Sequence, residues 1–474
     1  MAEIKGFVKY KRKKTGYRPV GERITDFKEV ELVLTPDDIV QQAARCIDCG
    51  VPFCHGVGCP LGNNIPEFND MIYKGRWQKA CELLHSTNNF PEITGRICPA
   101  PCETACTLAI NDEPVFIRHI EYQIVERGFA EGWIKPIIAA EKTGKRVAVI
   151  GSGPAGLAVA QQLARAGHSV VVFEKDAKVG GLLRYGIPDF KLDKSIIDRR
   201  IAQMVAEGVE FQTGVEVGKD ISAHYLKKMF DCLCITMGAG VPRDLAVAGR
   251  GYENVVFAWD YLTQQNKLCS GEQIEGKAIS AKDKSVVVIG GGDTGSDCIG
   301  TAKRQGAKQI YQLEILPKPP ETRPLDTPWP MWPRTMRTSS SHEEGCQRMW
   351  SVKTTKLSGT ETSVSELQGC EVEWLKTPRG WDTKEKDGSE FTIKTDLVIL
   401  AMGFLHVQYD GLVKDLNLKL DGYGNIAAEN FQTNRPDVFV AGDSTLGASL
   451  VVKAIDTGRK AAEQINSWLS GHKV

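Results

Sequence analysis

Seven cysteines in the N-terminal part of the sequence have spacings that suit binding of iron and sulfur. Four follow the pattern Cys-x2-Cys-x4-Cys-x4-Cys and three follow Cys-x3-Cys-x3-Cys; they are Cys46, Cys49, Cys54, Cys59, Cys98, Cys102 and Cys106. Iron–sulfur clusters are held by thiolates at such short spacings, with further ligands drawn from a distant group. Zinc sites usually combine two Cys-x2-Cys pairs, and only Cys46 and Cys49 form one, so zinc is the weaker alternative.

Two glycine-rich turns further along the sequence are typical of dinucleotide binding. Each follows a short apolar run, at residues 147–150 and 285–289, and each precedes a helical pattern and a second apolar run. In this arrangement the first glycine permits a tight turn, the second admits a pyrophosphate, and the third lets the helix pack on the strand. The residues predicted to contact the two nucleotides are Gly151, Gly153, Pro154, Ala155, Gly156, Glu174, Gly181, Leu182, Gly238, Gly290, Gly292, Asp293, Thr294 and Gly295.

The residues after the second unit give a mixed signal about the nucleotide. Glu314 ends the second apolar run, and an acid there favours a free ribose 2′-hydroxyl. Lys318 and Arg323 follow closely, and basic residues there favour a 2′-phosphate. We predict NADPH, with Arg323 contacting the phosphate, while NADH stays open as the alternative.

The remaining cysteines are predicted to be buried thiols of the protein core. Cys232 and Cys234 alternate on an apolar strand, which is the wrong spacing for a redox pair facing a flavin. The other cysteines in this group are isolated in the sequence: Cys81, Cys269, Cys298, Cys346 and Cys370.

Composition and charge exclude some classes of protein. The 474 residues contain 59 basic and 59 acidic side chains, so net charge gives no basis for predicting nucleic-acid or membrane binding. No apolar run approaches the ~18 residues that a membrane span needs, and the N-terminus has no secretory pattern. We therefore expect a cytoplasmic location, in which fourteen cysteines serve metal, redox or packing roles.

These patterns predict an α/β protein with two Rossmann-like dinucleotide-binding domains preceded by an α-helical, ferredoxin-like iron–sulfur domain. The helical domain is predicted over residues 1–144, with helices over 65–74 and 76–85. The first dinucleotide-binding domain is predicted to be discontinuous, over 145–258 and 400–474, and the second to cover 259–399.

The segment 438–443, Val-Phe-Val-Ala-Gly-Asp, resembles the C-terminal FAD motif of the flavoproteins that include glutathione reductase and adrenodoxin reductase. The resemblance implies that FAD binds the first turn and NADPH the second. It also implies that Gly442 and Asp443 meet the flavin, with the Asp443 carboxylate bonding the ribityl chain. A helix near residue 450 would then point its N-terminus at the flavin ring.

The whole sequence resembles the small subunit of glutamate synthase, and its N-terminal part resembles dihydropyrimidine dehydrogenase. The matching segments are residues 46–54, 59–66, 95–99, 328–333 and 337–345. The resemblance implies two [4Fe–4S] clusters. One would be held by Cys46, Cys49, Cys54 and Cys106, and the other by Cys59, Cys98, Cys102 and, as a fourth ligand, Glu121.

The resemblance also implies a function. The chain would take a hydride from NADPH onto FAD and pass single electrons through the clusters to a separate large subunit. That partner would carry the amidotransferase and synthase sites that make L-glutamate from L-glutamine and 2-oxoglutarate. An NAD(P)H:ferredoxin-type oxidoreductase with a different acceptor is the alternative.

Overall fold

The computed structural model describes residues 3–274, 276–332, 334–378 and 380–471, which form a helical region followed by two parallel sheets. The helices are α1 Gly6–Lys9, α2 Val20–Arg23, α3 Pro36–Ala44, α4 Ile65–Tyr73, α5 Trp77–Thr87, α6 Pro91–Ile97, α7 Pro101–Thr104, α8 Ile117–Ala130, α9 Pro154–Arg165, α10 Leu182–Tyr185, α11 Lys194–Ala206, α12 Ala223–Met229, α13 Ala258–Cys269, α14 Asp293–Arg304, α15 Ser340–Glu343, α16 Leu412–Asp415, α17 Asp443–Leu446 and α18 Val451–Leu469. The strands are β1 Arg146–Ile150, β2 Ser169–Glu174, β3 Val209–Thr213, β4 Cys232–Ile235, β5 Val241–Pro242, β6 Val255–Phe257, β7 Ser285–Ile289, β8 Gln309–Glu314, β9 Gln347–Trp350, β10 Val352–Thr360, β11 Ser363–Thr377, β12 Gly380–Glu385, β13 Phe391–Lys394, β14 Leu397–Leu400, β15 Phe404–His406 and β16 Val438–Val440.

The N-terminal region is helical, as predicted, and its core is built from apolar helix faces. Helix α3 begins where the Thr35 side chain accepts a hydrogen bond from the Asp38 backbone N–H. The predicted helices over 65–74 and 76–85 are confirmed as α4 and α5. Phe68 of α4 and Ile124 of α8 are fully buried in one core. A π-helical turn at Cys54–Gly58 and a 3₁₀ turn at Thr107–Ile110 lie beside the cysteines.

The first sheet is parallel, with strand order β16-β4-β1-β2-β3. Strand β16 comes from the C-terminal part of the chain and pairs with β4, so the strands of this sheet come from two separate parts of the sequence. Helix α18 packs closely on α9 because small residues of the two helices face each other at the contact. A Cβ at Gly458 would lie only 2.4 Å from the Ala155 carbonyl oxygen, so the C-terminal helix lies against the first glycine-rich turn.

The second sheet is also parallel, with strand order β6-β14-β7-β8-β9. The predicted domain limits at 258/259 and 399/400 do not follow this sheet. Strand β6 lies before residue 258, yet it pairs with β14 in the second unit. Strand β6 has only three residues, and so short a strand carries no sequence signal that shows which sheet it joins. Strands β5 and β15 form a short antiparallel pair where the chain passes from the first unit to the second and where it returns.

Strands β10 to β13 form an antiparallel sheet beside the second unit. Within the described part of the chain, none of the helices combines the length and the apolar character that crossing a bilayer requires.

Candidate functional site

The first glycine-rich turn has the geometry that a bound pyrophosphate requires. Gly151 has a φ of +102°, and a Cβ there would lie 2.5 Å from the Thr236 carbonyl oxygen. A Cβ at Gly156 would lie 2.0 Å from the Gly151 carbonyl oxygen, which holds α9 close to the strand. Gly153 differs, because a Cβ there would meet no protein atom within 4 Å. The space beside Gly153 is therefore open for a ligand at the N-terminus of α9.

Most residues predicted to bind FAD line one cavity of about 490 Å³. The cavity is lined by Gly151, Gly153, Pro154, Ala155, Glu174, Gly181, Leu182, Gly238 and Asp443. Gly156 and Gly442 do not line it and instead support its wall. The Gly442 N–H donates to the Thr457 hydroxyl at 3.0 Å, and its φ is +67°.

Glu174 lies at the end of β2 and faces the turn. Its carboxylate accepts hydrogen bonds from the Ser152 backbone N–H at 3.1 Å, from the Ser152 hydroxyl, and from the Asp176 N–H at 2.9 Å. These contacts fix the carboxylate beside the cavity. Its role as the ribose partner stays a prediction.

Asp443 connects the first cavity with a second one. Its carboxylate accepts a hydrogen bond from the Ser449 hydroxyl at 2.7 Å, and burial raises the pKa of Asp443. The residue lines both cavities, and so do Ser449 and Val451 at the start of α18. The helix N-terminus therefore faces the place where the C-terminal motif predicts a flavin.

The second glycine-rich turn repeats the first. Gly290 has a φ of +128°, and a Cβ at Gly295 would lie 2.2 Å from the Gly290 carbonyl oxygen. A Cβ at Gly292 would meet no protein atom within 4 Å. Asp293 and Thr294, the first residues of α14, line the second cavity, whose volume is about 530 Å³.

Arg323 is not brought to the second turn. Its guanidinium donates to the carbonyl oxygens of Met331 at 2.5 Å and Thr104 at 3.1 Å. Arg323 therefore links the long loop between β8 and α15 to the cysteine-containing region. Arg337, which the sequence reasoning did not single out, lines the second cavity with Asp293 and packs on the Trp332 ring at 3.7 Å. Arg337 belongs to the motif at 337–345, but the motif alone did not reveal its position.

The seven cysteines converge in two groups. Burial raises the pKa of Cys54, and the nearby thiols of Cys106, Cys46 and Cys49 raise it further. The Cys49 thiol also donates to the Thr107 hydroxyl at 3.3 Å. These four residues are the ones predicted to hold one cluster.

The second group includes Glu121. Burial raises the pKa of Cys102 well above its usual value, and the nearby acidic groups of Glu121, Cys59 and Cys98 raise it further. Burial likewise raises the pKa of Cys59 and of Cys98 to about 12. Such thiols are not anionic by themselves at neutral pH, and bound metal is the agent that deprotonates a buried thiol.

Glu121 is a buried carboxyl group among these three thiols. It is 6% exposed, its Oε1 accepts one hydrogen bond, from the Asn63 amide at 2.9 Å, and burial raises its pKa to about 7. A buried carboxyl with one protein donor keeps an oxygen free for a metal. Its position beside Cys59, Cys98 and Cys102 fits a fourth ligand.

The Glu121→Leu variant is expected to lose about half of its iron, because one of the two predicted clusters would lack a ligand. Glu121→Gln, which keeps an oxygen ligand, should retain most of the iron. Iron and sulfide analysis of anaerobically purified protein measures both. Equal iron in the wild-type chain and the Leu variant would remove Glu121 from the ligand set.

Gly58 allows the two cysteine-containing segments, residues 46–59 and 98–106, to lie close together. A Cβ at this position would be 2.6 Å from the Cys102 Cα and 2.9 Å from the Ala105 Cβ. Gly95 plays the same part between α6 and α8, since a Cβ there would be 2.8 Å from the Tyr122 Cα. Both contacts involve backbone atoms, which cannot move aside cheaply.

The Gly58→Ala variant should therefore push apart the segments 46–59 and 98–106, which supply the cysteines of both groups, at a cost of about 1–3 kcal/mol from overpacking. We expect a reduced iron content and a lower melting temperature. Gly56→Ala is the matched control, because a Cβ at Gly56 meets no atom within 4 Å. If both variants keep wild-type iron, the close approach at Gly58 is not required for metal binding.

The donor set fits iron–sulfur clusters better than a mononuclear site. Within the described ranges, no three His, Cys, Asp or Glu side chains stand where they could hold a single metal ion. In a four-iron cluster each thiolate binds a different iron atom, so the sulfur atoms need not converge on one point. Seven thiols and one carboxyl in two groups of four match that requirement.

Most cysteines outside these groups are buried thiols, as predicted. Cys232, Cys234, Cys298 and Cys370 are at most 3% exposed, and Cys81 is 4% exposed. Cys269 is an exception, because it lies at the exposed C-terminal end of α13, and Cys346 is half-buried. The sequence spacing of Cys269 could not show that it lies at the end of a helix, where its side chain is exposed.

Cys98 lies where the cysteine region meets the two nucleotide units. It is one of two partly exposed cysteines among the seven, the other being Cys49. Cys98 lines the 530 Å³ cavity together with Asp443 of the flavin motif and Asp293 of the second turn. One cavity therefore joins a predicted metal ligand to both predicted nucleotide sites.

Comparison with known proteins agrees with this arrangement. Residues 23–133 match the family described as dihydropyrimidine dehydrogenase domain II, 4Fe-4S cluster, and residues 145–458 match the pyridine nucleotide-disulphide oxidoreductase family. The glutamate synthase [NADPH] small chain of Mycobacterium tuberculosis is 50% identical over 99% of this chain and 97% of its own length. The chain belongs to the glutamate synthase small-chain family.

Other members extend the family likeness. The Bacillus subtilis small chain is 43% identical over the full length of both proteins. In Schizosaccharomyces pombe, a glutamate synthase [NADH] is 44% identical over 99% of this chain, which spans only 23% of that longer protein. The solved structure of Mycobacterium tuberculosis FprA in complex with NADPH shares the fold of the nucleotide units, with a TM-score of 0.56 and 16% identity over 69% of this chain and 85% of FprA.

Proposed function

We propose that this chain oxidises NADPH and supplies the electrons to the large chain of a glutamate synthase, which makes L-glutamate from L-glutamine and 2-oxoglutarate. The observation that carries the proposal is the shared cavity. Asp443, Asp293 and Cys98 line it together, so the flavin motif, the second nucleotide turn and the cysteine region meet at one place. The small-chain relatives supply the name of the reaction.

The residues present suit FAD, NADPH and two [4Fe–4S] clusters. FAD would be held by the first turn, Glu174 and Asp443, NADPH by the second turn, and the clusters by the two cysteine groups with Glu121. When bound, these groups exchange a hydride between nicotinamide and flavin and then carry electrons singly. The chain's own part is positioning, because hydride transfer depends on the alignment of two bound rings.

Two basic side chains near the second turn support NADPH. Trp350 is the β9 partner of Glu314, and its ring lies under the Arg348 guanidinium at 4.9 Å and the Lys318 ammonium at 5.7 Å. The Glu314 carboxylate accepts a hydrogen bond from the Gly291 N–H at 2.6 Å, so both cations lie beside the strand end that meets the second turn. A 2′-phosphate next to Glu314 would have partners of opposite charge.

The exit of electrons is proposed at the Cys49 face. Exposed apolar side chains border it: Val51 and Val57 are 72% and 60% exposed, and Met331 is 55% exposed. The Phe53 ring contacts the Trp329 ring, with 4.6 Å between their centroids, and so joins the segment that contains Val51 and Val57 to the segment that contains Met331. An exposed apolar surface beside a redox group suits a partner, and the Schizosaccharomyces pombe glutamate synthase [NADH] contains a region similar to this chain within a longer protein.

The test is an anaerobic titration of the purified chain with NADPH, followed in the visible spectrum, with iron and sulfide analysis of the same sample. We expect flavin bleaching by NADPH at lower concentrations than by NADH, with about eight iron atoms per chain for two four-iron clusters. The proposal also places the chain in the cytoplasm, where thiols stay reduced. A flavin that neither nucleotide bleaches would refute the oxidoreductase function.

A further inference from the structure

Arg45 carries a buried positive charge beside the first cysteine group. Its side chain is 0% exposed, it directly precedes Cys46, and ionisation of the nearby Cys106 thiol would favour its charged form. Its Nη1 donates to the Tyr10 carbonyl oxygen at 2.6 Å, and its Nη2 donates to the Glu113 carbonyl oxygen. Both acceptors are neutral, so neither supplies a counter-charge.

Arg45 differs from the other buried arginines in this respect. Arg23, Arg184 and Arg200 each form an ion pair with a carboxylate, those of Glu344, Asp198 and Glu92 respectively. Among the residues that the structure describes, Arg45 has no carboxylate within 4.0 Å, and its Nε has no hydrogen-bond acceptor.

More distant charges do not replace the missing counter-ion. The carboxylates of Asp112 and Glu113 act on Arg45 only at longer range, and Arg12 opposes them. A buried cation without a paired anion is strongly unfavourable, so its retention indicates a negative group that the protein residues do not provide.

We propose that Arg45 is the counter-ion of the cluster that Cys46, Cys49, Cys54 and Cys106 would hold, and that its charge raises the reduction potential of that cluster. A four-iron cluster with four thiolates is anionic and gains one more negative charge on reduction. A nearby fixed cation therefore favours the reduced state. The inference rests on the proposed ligand set, and it makes the cluster at the exit face the better electron acceptor.

The test uses two variants that separate charge from hydrogen bonding. Arg45→Gln keeps an amide donor for the backbone carbonyls but removes the charge, whereas Arg45→Lys keeps the charge. An EPR-monitored redox titration of the loaded chain measures both cluster potentials, and the signal that is absent in Cys49→Ala identifies the Cys46 cluster. We expect Arg45→Gln to lower the potential of that signal alone, and Arg45→Lys to restore most of the wild-type value.

Iron loss to a chelator gives a second readout. Arg45→Gln should hold the iron of this cluster roughly tenfold to a hundredfold less tightly against the chelator, the usual effect on affinity of removing a supporting group around a metal site. Arg18→Gln is the control, because Asp26 pairs with Arg18 at 2.6 Å and no thiol acts on it.

An unchanged potential, an equal shift of both signals, or a Lys variant that behaves like the Gln variant would overturn the role of Arg45. A wild-type chain that binds no iron would instead refute the ligand set itself, which separates the two failures.

Discussion

The Gly153→Val variant is expected to fold and to lose FAD, whereas Gly292→Val is expected to keep FAD and lose NADPH. The physical reason is the same at both sites. The new side chain starts in space that is free of protein atoms within 4 Å, so the fold tolerates it. That space is where each turn would receive a pyrophosphate at a helix N-terminus.

The expected effect on each nucleotide is large. Blocking the close approach of backbone to pyrophosphate should weaken binding by about a hundredfold or more, which corresponds to about 2.8 kcal/mol. Flavin content after purification measures the first variant. The NADPH concentration that half-reduces the flavin in a rapid-mixing experiment measures the second.

Gly156→Val serves as the contrasting variant. A Cβ at Gly156 would lie 2.0 Å from the Gly151 carbonyl oxygen, so this change should prevent folding of the unit and not only binding. If Gly292→Val loses FAD as strongly as NADPH, or if Gly153→Val loses only NADPH, the assignment of the two turns is wrong.

The Cys102→Ala variant is expected to uncouple flavin reduction from electron delivery. Cys102 is buried beside Glu121, Cys59 and Cys98, so its loss would remove a predicted ligand that no neighbouring group can replace. NADPH should still bleach the flavin, because the nucleotide units are separate from this cysteine. Transfer to a large chain should fall to background, and about half of the iron should be lost.

Cys298→Ala is the matched control for Cys102→Ala. Cys298 is also buried, but it packs in the core of the second sheet away from the seven N-terminal cysteines. It should keep wild-type iron and wild-type electron transfer, with a modest loss of stability. Wild-type transfer in Cys102→Ala would show that electrons leave the flavin by another route.

Local patterns in the sequence predicted the two glycine-rich turns and the helical cysteine region because each depends on neighbouring residues. Glycines at fixed spacing after an apolar run identified both turns, and the positive φ angles of Gly151 and Gly290 explain why the first position is glycine. The partition of the cysteines came from the family resemblance, and the structure places Cys106 with Cys54, and Cys102 with Glu121. Such pairings over long sequence separations are not encoded in spacing.

Other features depended on tertiary contacts that no local pattern reveals. Arg323 was predicted at the second turn from its distance along the chain, but the loop folds back and holds it on the Thr104 carbonyl. Strand β6 joins the second sheet through pairing with β14, more than 140 residues away in the sequence. Arg45 looks like an ordinary helix-end residue until its burial without a carboxylate is seen.

The measurement that tests the central claim most directly is glutamate formation in an anaerobic mixture of this chain with a purified glutamate synthase large chain. The mixture contains NADPH, L-glutamine and 2-oxoglutarate, and each component is omitted in turn. Our account predicts that NADPH oxidation and glutamate formation occur together, require both chains, and stop in the Cys102→Ala variant. Rapid flavin reduction by NADPH without glutamate in the complete mixture would contradict it and would indicate a different electron acceptor.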